Sequence, residues 1–281
     1  MDVFAHCENL VREADKDRFL ASLFAPAEGR RDLFALYAFN AEVAGVQDKV
    51  REPLAGEIRL QYWHDLVAGT GEPGANPVAA ALLEIVKRHA LPRQPLLELL
   101  EARRFDLYEE TFSTRADLEN YASNTSSAVI ELAMRILDQP SGATPRLARS
   151  AGIGYAIAGL ARSFAFHASR GKIFVPDEIL TAHGAARADI LAGRSTIELR
   201  DALADFREQA RRHLDQIGDQ LAEVPDRLVP ALLPVALVDP YLARMERADY
   251  EPFRTVVEVP QWRKQWLLWR AARSPRRIAA H

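Results

Sequence analysis

The segment from Leu147 to Phe166 constrains the fold of this 281-residue chain more than any other. It is small and apolar on almost every face and contains the run Ala151-Gly-Ile-Gly-Tyr-Ala-Ile-Ala-Gly-Leu-Ala161. A helix that is apolar all round is normally surrounded by other helices, whereas a surface helix is apolar along one stripe. We therefore expect a central helix within about residues 145–170. Its small residues let neighbouring helices, or a ligand, approach the backbone.

The rest of the chain predicts further helices around this centre. Apolar residues recur every three or four positions between short breaks at Pro and Gly, such as Pro53, Gly69–Pro77 and Pro140–Pro145, which is typical of amphipathic α-helices. No break resembles a long flexible linker, and no repeat of 20–50 residues is evident. The sequence predicts an all-α helical bundle, with a single domain over residues 1–260 and a basic, tryptophan-bearing helix and tail over residues 261–281.

Charge and cysteine content exclude several classes of protein. The chain has 36 Lys+Arg, 39 Asp+Glu and a formal net charge of −3, so it has no overall basic field for nucleic acid, and we expect no nucleic-acid partner. The last 21 residues carry six basic residues and no acid, which leaves −9 on the preceding 260 once these six are subtracted from the total. The lone Cys7 excludes an intramolecular disulfide and any cysteine-built metal site.

The first residues are unlike a signal or transit peptide, because acids stand where a secretory leader carries bases. No uninterrupted apolar run reaches the roughly 18 residues of a spanning helix. We therefore expect a cytoplasmic protein, and peripheral contact with the inner membrane stays open.

That contact would involve the tail, where Trp262, Trp266 and Trp269 share one helical face. The other sides of the same predicted helix carry Arg263, Lys264 and Arg270. Such a helix can lie on an anionic bilayer or in a partner's groove. The alternative is that the tryptophans pack inward against the bundle, with the basic residues beyond Pro275 forming a disordered arm.

Two groups of polar residues are candidate binding sites. Asp106, Glu109 and Glu110 have the spacing of a helical carboxylate set that could hold Mg²⁺, although solvated surface charge is the commoner role of such acids. The basic strip Arg162, His167, Arg170 and Lys172 follows the central apolar segment. It could receive an anionic group, or it could stabilise a helix C-terminus. Gly152, Gly154 and Gly159 indicate helix packing rather than a nucleotide loop.

Three sequence features together resemble the squalene/phytoene synthase family: Arg31-Asp-Leu-Phe-Ala-Leu-Tyr37-Ala-Phe39, the lone acid Asp48, and Arg162 leading to Lys172-Ile-Phe-Val-Pro176. The resemblance runs from about Asp15 to Tyr250. It implies an isoprenoid-synthase-like bundle around a central cavity, in which two acidic motifs hold Mg²⁺ while two prenyl diphosphates are joined head to head. It places acids of those motifs at Ala44, Gly45, Asp48, Ser163 and His167, and only Asp48 is acidic here.

The segments Ala38-Phe-Asn-Ala-Glu42-Val-Ala-Gly-Val-Gln-Asp48, Arg59-Leu-Gln-Tyr-Trp63 and His167-Ala-Ser-Arg170-Gly-Lys172 are most similar to one branch of that family. This branch includes a mitochondrial respiratory complex I assembly factor and its bacterial relatives. The resemblance implies a non-catalytic assembly factor, or an isoprenoid- or lipid-binding factor, for a membrane respiratory complex, with no cofactor. The candidate anion contacts are Arg31, Tyr37, Arg162, His167, Arg170 and Lys172. The alternative is an active Mg²⁺-dependent prenyltransferase that uses Asp106, Glu109 and Glu110.

Overall fold

The computed structural model describes residues 2–50, 52–108, 110–138, 142, 144–218 and 220–279. These residues form α-helices and short 3₁₀ and π-helical segments, joined by turns and loops, and contain no β-strand, so the predicted all-α fold is confirmed. The helices are α1 (Val3–Ala14), α2 (Lys16–Ser22), α3 (Ala27–Ala44), α4 (Val46–Lys49), α5 (Pro53–Ala68), α6 (Pro77–Arg88), α7 (Arg93–Arg104), α8 (Arg115–Ala122), α9 (Ala128–Leu137), α10 (Thr144–Arg162), α11 (Phe164–Ala168), α12 (Asp177–His183), α13 (Arg187–Leu191), α14 (Ile197–Asp215), α15 (Val229–Leu232), α16 (Val238–Met245) and α17 (Gln261–Arg273).

Several helix ends follow from residues that the sequence places at the breaks. Asn76 accepts hydrogen bonds from the backbone N–H groups of Val78 and Ala79 at the start of α6, and Thr114 forms a capping box with Asp117 at the start of α8. Gly69 ends α5 with a φ of +86°, a conformation that glycine adopts without strain. These caps satisfy backbone groups at the helix ends that would otherwise lack partners.

Helix α10 is the predicted central helix, and it packs against α9, α14 and α16. A short π-helical segment, Ser123–Ser127, also lies against it. A Cβ atom added at Gly152 would lie 2.3 Å from the Cα of Ser127, so this crossing requires glycine. The interpretation of the glycines as helix-packing residues is therefore confirmed at Gly152.

Some predicted helices are longer in the sequence analysis than in the structure. The helix expected over 145–170 ends at Arg162 and resumes as α11 after Ser163, whose backbone (φ −94°, ψ 12°) leaves the helical region. A similar break at Gly45 separates α3 from α4. The residues at both breaks, Gly45 and Ser163, line the central cavity described below.

The C-terminal region is part of the bundle. Helix α17 packs against α2 and against the 3₁₀ segment Leu233–Leu237. The expectation of a disordered arm beyond Pro275 is wrong, because Pro275–Ile278 forms a 3₁₀ turn that buries Ile278. Within the described residues, one stretch, Asp226–Met245, is apolar enough to cross a membrane (mean hydropathy 1.4), but 83% of its apolar window is buried inside the bundle.

Candidate functional site

A central cavity of about 570 Å³ opens beside α10. The positions at which the family resemblance places acids all line it, although they come from two distant parts of the chain. They are Ala44, Gly45, Asp48, Ser163 and His167. The predicted cavity is therefore present, and the fold brings the two motif regions together around it.

These positions do not supply a set of ligands for Mg²⁺. The cavity-lining side chains at 44, 45, 163 and 167 offer no carboxylate, and Asp48 is paired with the guanidinium of Arg170. Mg²⁺ prefers oxygen ligands in octahedral geometry, usually with one or two carboxylates. Among the residues that the structure describes, no group of three His, Cys, Asp or Glu is placed to hold a metal ion. The donor set does not fit Mg²⁺.

Arg18 is a cavity cation that the sequence analysis missed. Its side chain is buried, its Nη1 donates to Asp15 Oδ2 at 3.0 Å, and its guanidinium lies 5.4 Å from the ring centre of Tyr37 and 5.1 Å from that of Tyr155. Tyr37 is buried, and its contact with the site is this stacking on Arg18. Burial raises the pKa of the Tyr37 hydroxyl. The arrangement fixes one guanidinium at the cavity wall with a carboxylate already beside it.

Asp17 is the centre of a second buried cluster. Its Oδ1 accepts from Lys264 Nζ at 2.7 Å, and its Oδ2 accepts from Tyr241 Oη at 2.7 Å and from Arg162 Nη1 at 3.5 Å. The guanidinium of Arg162 also stacks on Tyr241, 4.4 Å from its ring centre. Lys264, which the sequence analysis assigned to a membrane or partner surface, instead reaches inward and partners this acid. Two cations share one carboxylate here, so the cluster carries one excess positive charge.

This Asp17 cluster lies at the boundary between the central cavity and a second cavity of about 800 Å³. Arg162 and Ser163 line both. Residues 253–260, which run between α16 and α17 without regular structure, form one wall of the second cavity. About a third of the Arg162 side chain is exposed, which agrees with its position between two open spaces.

His167 does not contribute a positive charge to the basic strip that the sequence predicted. Burial lowers its pKa to about 4, because the protein interior disfavours the charged imidazolium, and the nearby Arg170 and Lys172 act in the same direction. Its ring packs edge-on against Phe174 with a centroid separation of 4.7 Å. The imidazole is therefore neutral at pH 7.

Arg170 and Lys172 line a third cavity of about 690 Å³ together with Asp48 and His167. Arg170 pairs with Asp48, and the Lys172 ammonium donates to the backbone carbonyl of Tyr108. Across the central and third cavities most cations therefore already have partners. The pocket that the sequence predicted as cationic also contains acids, and Asp15 and Asp48 balance the charges of Arg18 and Arg170.

The alternative acidic site lies near the third cavity. Asp106 is only 3% exposed, and it accepts hydrogen bonds from Tyr121 Oη at 2.8 Å and Arg103 Nη1 at 3.0 Å. Burial raises its pKa. Its interpretation as solvated surface charge is therefore wrong: it belongs to a buried polar network. Glu110 is exposed, and Glu109 lies outside the described residues.

Arg31 is not part of any described cavity wall. It is an exposed residue of α3, and its guanidinium stacks on Phe4, 3.7 Å from the ring centre. Arg31 therefore connects α1 to α3, and the arginine from the N-terminal region that lines the cavity is Arg18.

The tryptophans of α17 face solvent. Trp262, Trp266 and Trp269 are 70%, 47% and 46% exposed, so the interpretation that they pack inward is wrong. Arg270 stacks on Trp266 with a separation of 4.3 Å, and Arg263 is exposed beside them. The result is an apolar face bordered by guanidinium groups, while Leu268 and Ala271 hold the opposite face of α17 against the bundle.

Sequence reasoning missed Asp15, Asp17 and Arg18 as residues of the site. Asp17 meets Tyr241 and Lys264, and Arg18 stacks on Tyr37 and Tyr155, all of which are distant in the sequence. A signal was present in the run Asp15-Lys16-Asp17-Arg18, four consecutive charged residues where one predicted helix ends and the next begins. Asp15 and Arg18 are also spaced to pair along a helix. Such a dense group of charges next to apolar segments indicates side chains that cap helices or face a polar cavity.

Comparison with known proteins gives the family. The squalene/phytoene synthase family profile matches residues 11–270. This chain belongs to the squalene/phytoene synthase family. It is 31% identical to human NADH dehydrogenase (ubiquinone) complex I, assembly factor 6, over 93% of this chain and 82% of that protein. It is 24% identical to the 15-cis-phytoene synthase of Synechococcus elongatus, over 94% of this chain and 90% of the synthase.

Solved structures agree on the fold. A dehydrosqualene synthase in complex with ligand superposes with a TM-score of 0.85 at 20% identity, covering 97% of this chain and 96% of the other. Squalene synthase HpnC from Alicyclobacillus acidocaldarius superposes with a TM-score of 0.75 at 27% identity, covering 89% of this chain and 95% of the other. The bundle is thus an isoprenoid-synthase-like fold, as the sequence predicted.

Proposed function

We propose that this protein is a non-catalytic member of the family that assists the assembly of a membrane respiratory complex. The observation that carries the proposal is that Ala44, Gly45, Ser163 and His167 meet at one cavity without contributing a carboxylate. Ionisation of an allylic diphosphate requires cations to neutralise the departing pyrophosphate, a task for bound Mg²⁺. The relatives named complex I assembly factor 6 support the assembly role.

We further propose that the central cavity holds an isoprenoid or another anionic lipid without Mg²⁺ or any other cofactor. Its lining combines apolar side chains such as Leu10 and Leu160 with the cations Arg18 and Arg162. Such a mixture suits a ligand with an apolar chain and a small anionic head. The excess cation of the Asp17 cluster supplies the attraction for that head.

The assembly role is tested by deleting the gene in its source organism and measuring assembled respiratory complex I on native gels. We expect the complex to fall in amount and to recover when the wild-type gene is returned. Normal complex I in the deletion strain would contradict the assembly role.

The absence of catalysis is tested by incubating the purified protein with Mg²⁺ and farnesyl or geranylgeranyl diphosphate. We expect neither pyrophosphate release nor a C30 or C40 product. Product formation that is lost in Asp106→Asn would instead support the alternative, an Mg²⁺-dependent prenyltransferase that uses the Asp106 region.

Lipid binding is tested by placing a larger side chain in the cavity. Gly159 lines the cavity, and a Cβ there would meet nothing within 4 Å. We expect Gly159→Leu to fold normally and to lose the thermal stabilisation that farnesyl diphosphate gives the wild type. Ala192→Leu, at an exposed position, is the control and should keep it. Equal stabilisation of both variants would exclude this cavity as the binding site.

We also propose that the exposed tryptophan face contacts a membrane, at the cytoplasmic side of the inner membrane. Tryptophan with neighbouring arginine suits the interface of an anionic bilayer. In flotation with anionic vesicles, Trp262→Ser/Trp266→Ser/Trp269→Ser should bind several-fold less than wild type. The control is Leu54→Ser/Ile58→Ser, which removes exposed apolar residues from α5. Binding by the triple variant at the wild-type level would remove this face from the proposal.

A further inference from the structure

A small cavity of about 180 Å³ lies between α14 and the residues that follow α16. It shares no lining residue with the central, second or third cavity. Arg200, Arg207 and Arg247 line it, together with Tyr250 and Glu246. We call it the Arg207 pocket. Nothing in the proposed function uses it.

Arg207 is the unusual residue of this pocket. It is only 8% exposed, and its Nε atom is buried with no hydrogen-bond partner. Its guanidinium lies 5.6 Å from the ring centre of Tyr250, and none of the carboxylates in the described part of the chain forms an ion pair with it. Burial lowers its pKa, in line with a charge that lacks a close counter-ion.

The surrounding arginines each have a carboxylate. Arg200 pairs with Glu251, Arg211 pairs with both Asp239 and Glu246, and Asp249 serves Arg244 and Arg247. Glu246, the acid that lines the pocket, is thus engaged by two bonds to Arg211, at 2.8 and 2.7 Å. The four arginines just named share four carboxylates. Arg207 is the fifth arginine of this group, and it forms no ion pair with any of them.

A buried guanidinium without a counter-ion is costly, and it is normally paired or hydrogen-bonded. Its planar set of N–H donors matches the oxygens of a phosphate group, which can accept two parallel bonds. At roughly 30 Å³ per water molecule, the pocket volume corresponds to about six waters, which is room for a phosphate group. Arg200 and Arg247 would add positive charge around it.

We propose that the Arg207 pocket binds a phosphate group, either free phosphate or the phosphomonoester head of a lipid. Arg207 is the fixed donor, because packing in α14 and the Tyr250 ring hold it in place. Arg200 and Arg247 line the same pocket and share their charge with Glu251 and Asp249. No metal is needed at this site.

The first test is thermal unfolding of the full chain in increasing phosphate, against sodium chloride of equal ionic strength. We expect phosphate to raise the midpoint by several degrees beyond the chloride effect. Arg207→Met should abolish this rise and weaken phosphate binding about 30-fold or more, the effect of losing charge-assisted hydrogen bonds. The matched control is Arg212→Met, which removes an exposed charge from the same helix and should respond like the wild type. A wild type that responds equally to both salts would overturn the proposal.

Folding is checked in the same experiment. Replacing an unpaired buried charge with an apolar side chain of similar size should leave the protein at least as stable without phosphate. Arg207→Lys is the second variant, because it keeps the charge but loses the two-pronged geometry, and we expect weakened phosphate binding. A phosphate response of wild-type size in either Arg207 variant would contradict the assignment of this residue.

The source of the phosphate is separated by vesicle flotation. Vesicles with phosphatidic acid present a phosphomonoester, whereas phosphatidylglycerol vesicles of equal charge do not. If the lipid head is the ligand, Arg207→Met should lose the preference for phosphatidic acid and Arg212→Met should keep it. If free phosphate is the ligand, no variant should show a preference, and the salt titration alone should distinguish Arg207→Met.

Discussion

The two halves of α10 use small residues for opposite purposes. In the first half, Gly152 lets the helix touch the backbone of Ser127, so the absent side chain creates a close contact. In the second half, Ala156 and Gly159 line the central cavity, so small side chains there leave open space. The difference shows that a run of small residues in one helix does not by itself identify either packing or binding, because the facing element decides.

The largest expected effect tests this contrast directly. Gly152→Ala would place a methyl group against backbone atoms that cannot move aside, and we expect it to lower the free energy of unfolding by about 3 kcal/mol. Gly159→Ala, where a Cβ meets nothing within 4 Å, should raise it by up to about 1 kcal/mol through helix propensity. Urea denaturation of both variants measures the two values. Equal effects would break the comparison.

The Asp17 cluster lies at the end of the half of α10 that lines the cavity. Asp17→Asn leaves Arg162 and Lys264 without their carboxylate, and we expect a loss of about 2 kcal/mol, because removing one partner of a buried ion pair is destabilising. Asp189→Asn is the control, since Asp189 pairs with the well-exposed Arg194 and should cost under about 1 kcal/mol. Similar losses in urea unfolding would mean that the Asp17 cluster behaves as surface charge.

A smaller effect should appear with pH at His167, just beyond the end of α10. Its pKa is lowered from 6.5 to about 4 in the folded state, so the unfolded chain binds the proton more readily between these values. Stability from this residue is therefore present above pH 6.5 and is lost progressively as the pH falls towards 4. We expect wild type to lose nearly 2 kcal/mol more than His167→Gln between pH 7 and pH 5. Parallel stability curves for the two proteins would show that His167 is not buried as described.

Much of the fold could be predicted from the sequence, because helix periodicity and the apolar character of the central segment are local properties. The position of the cavity also followed from the family resemblance, since residues near 44 and 163 meet there. Arg31 and Lys264 were assigned to the wrong surroundings. Their roles depend on which face of a helix meets a distant element, and a charged residue on a helix gives no local sign of whether it meets Phe4 or Asp17.

The surroundings of Asp106 also could not be predicted from its position in the sequence. Arg103 is only three residues away from Asp106, but the hydrogen bond from Tyr121 forms only because α8 turns back towards the end of α7. The sequence shows three acids near a helix end, and that pattern is shared by solvated charges and metal ligands. Its three-dimensional partners were needed to show that this carboxylate is not a solvated surface charge.

The bond between Lys264 and Asp17 joins residues 247 positions apart. A ribosome makes the N-terminal residues first, so Asp17 lacks this lysine partner during nearly the whole of translation. Arg162 and Tyr241 are also made well before it. The charged wall between the two cavities is therefore completed only when α17 has been made and has docked, so a nascent chain lacks this wall for nearly the whole of its synthesis.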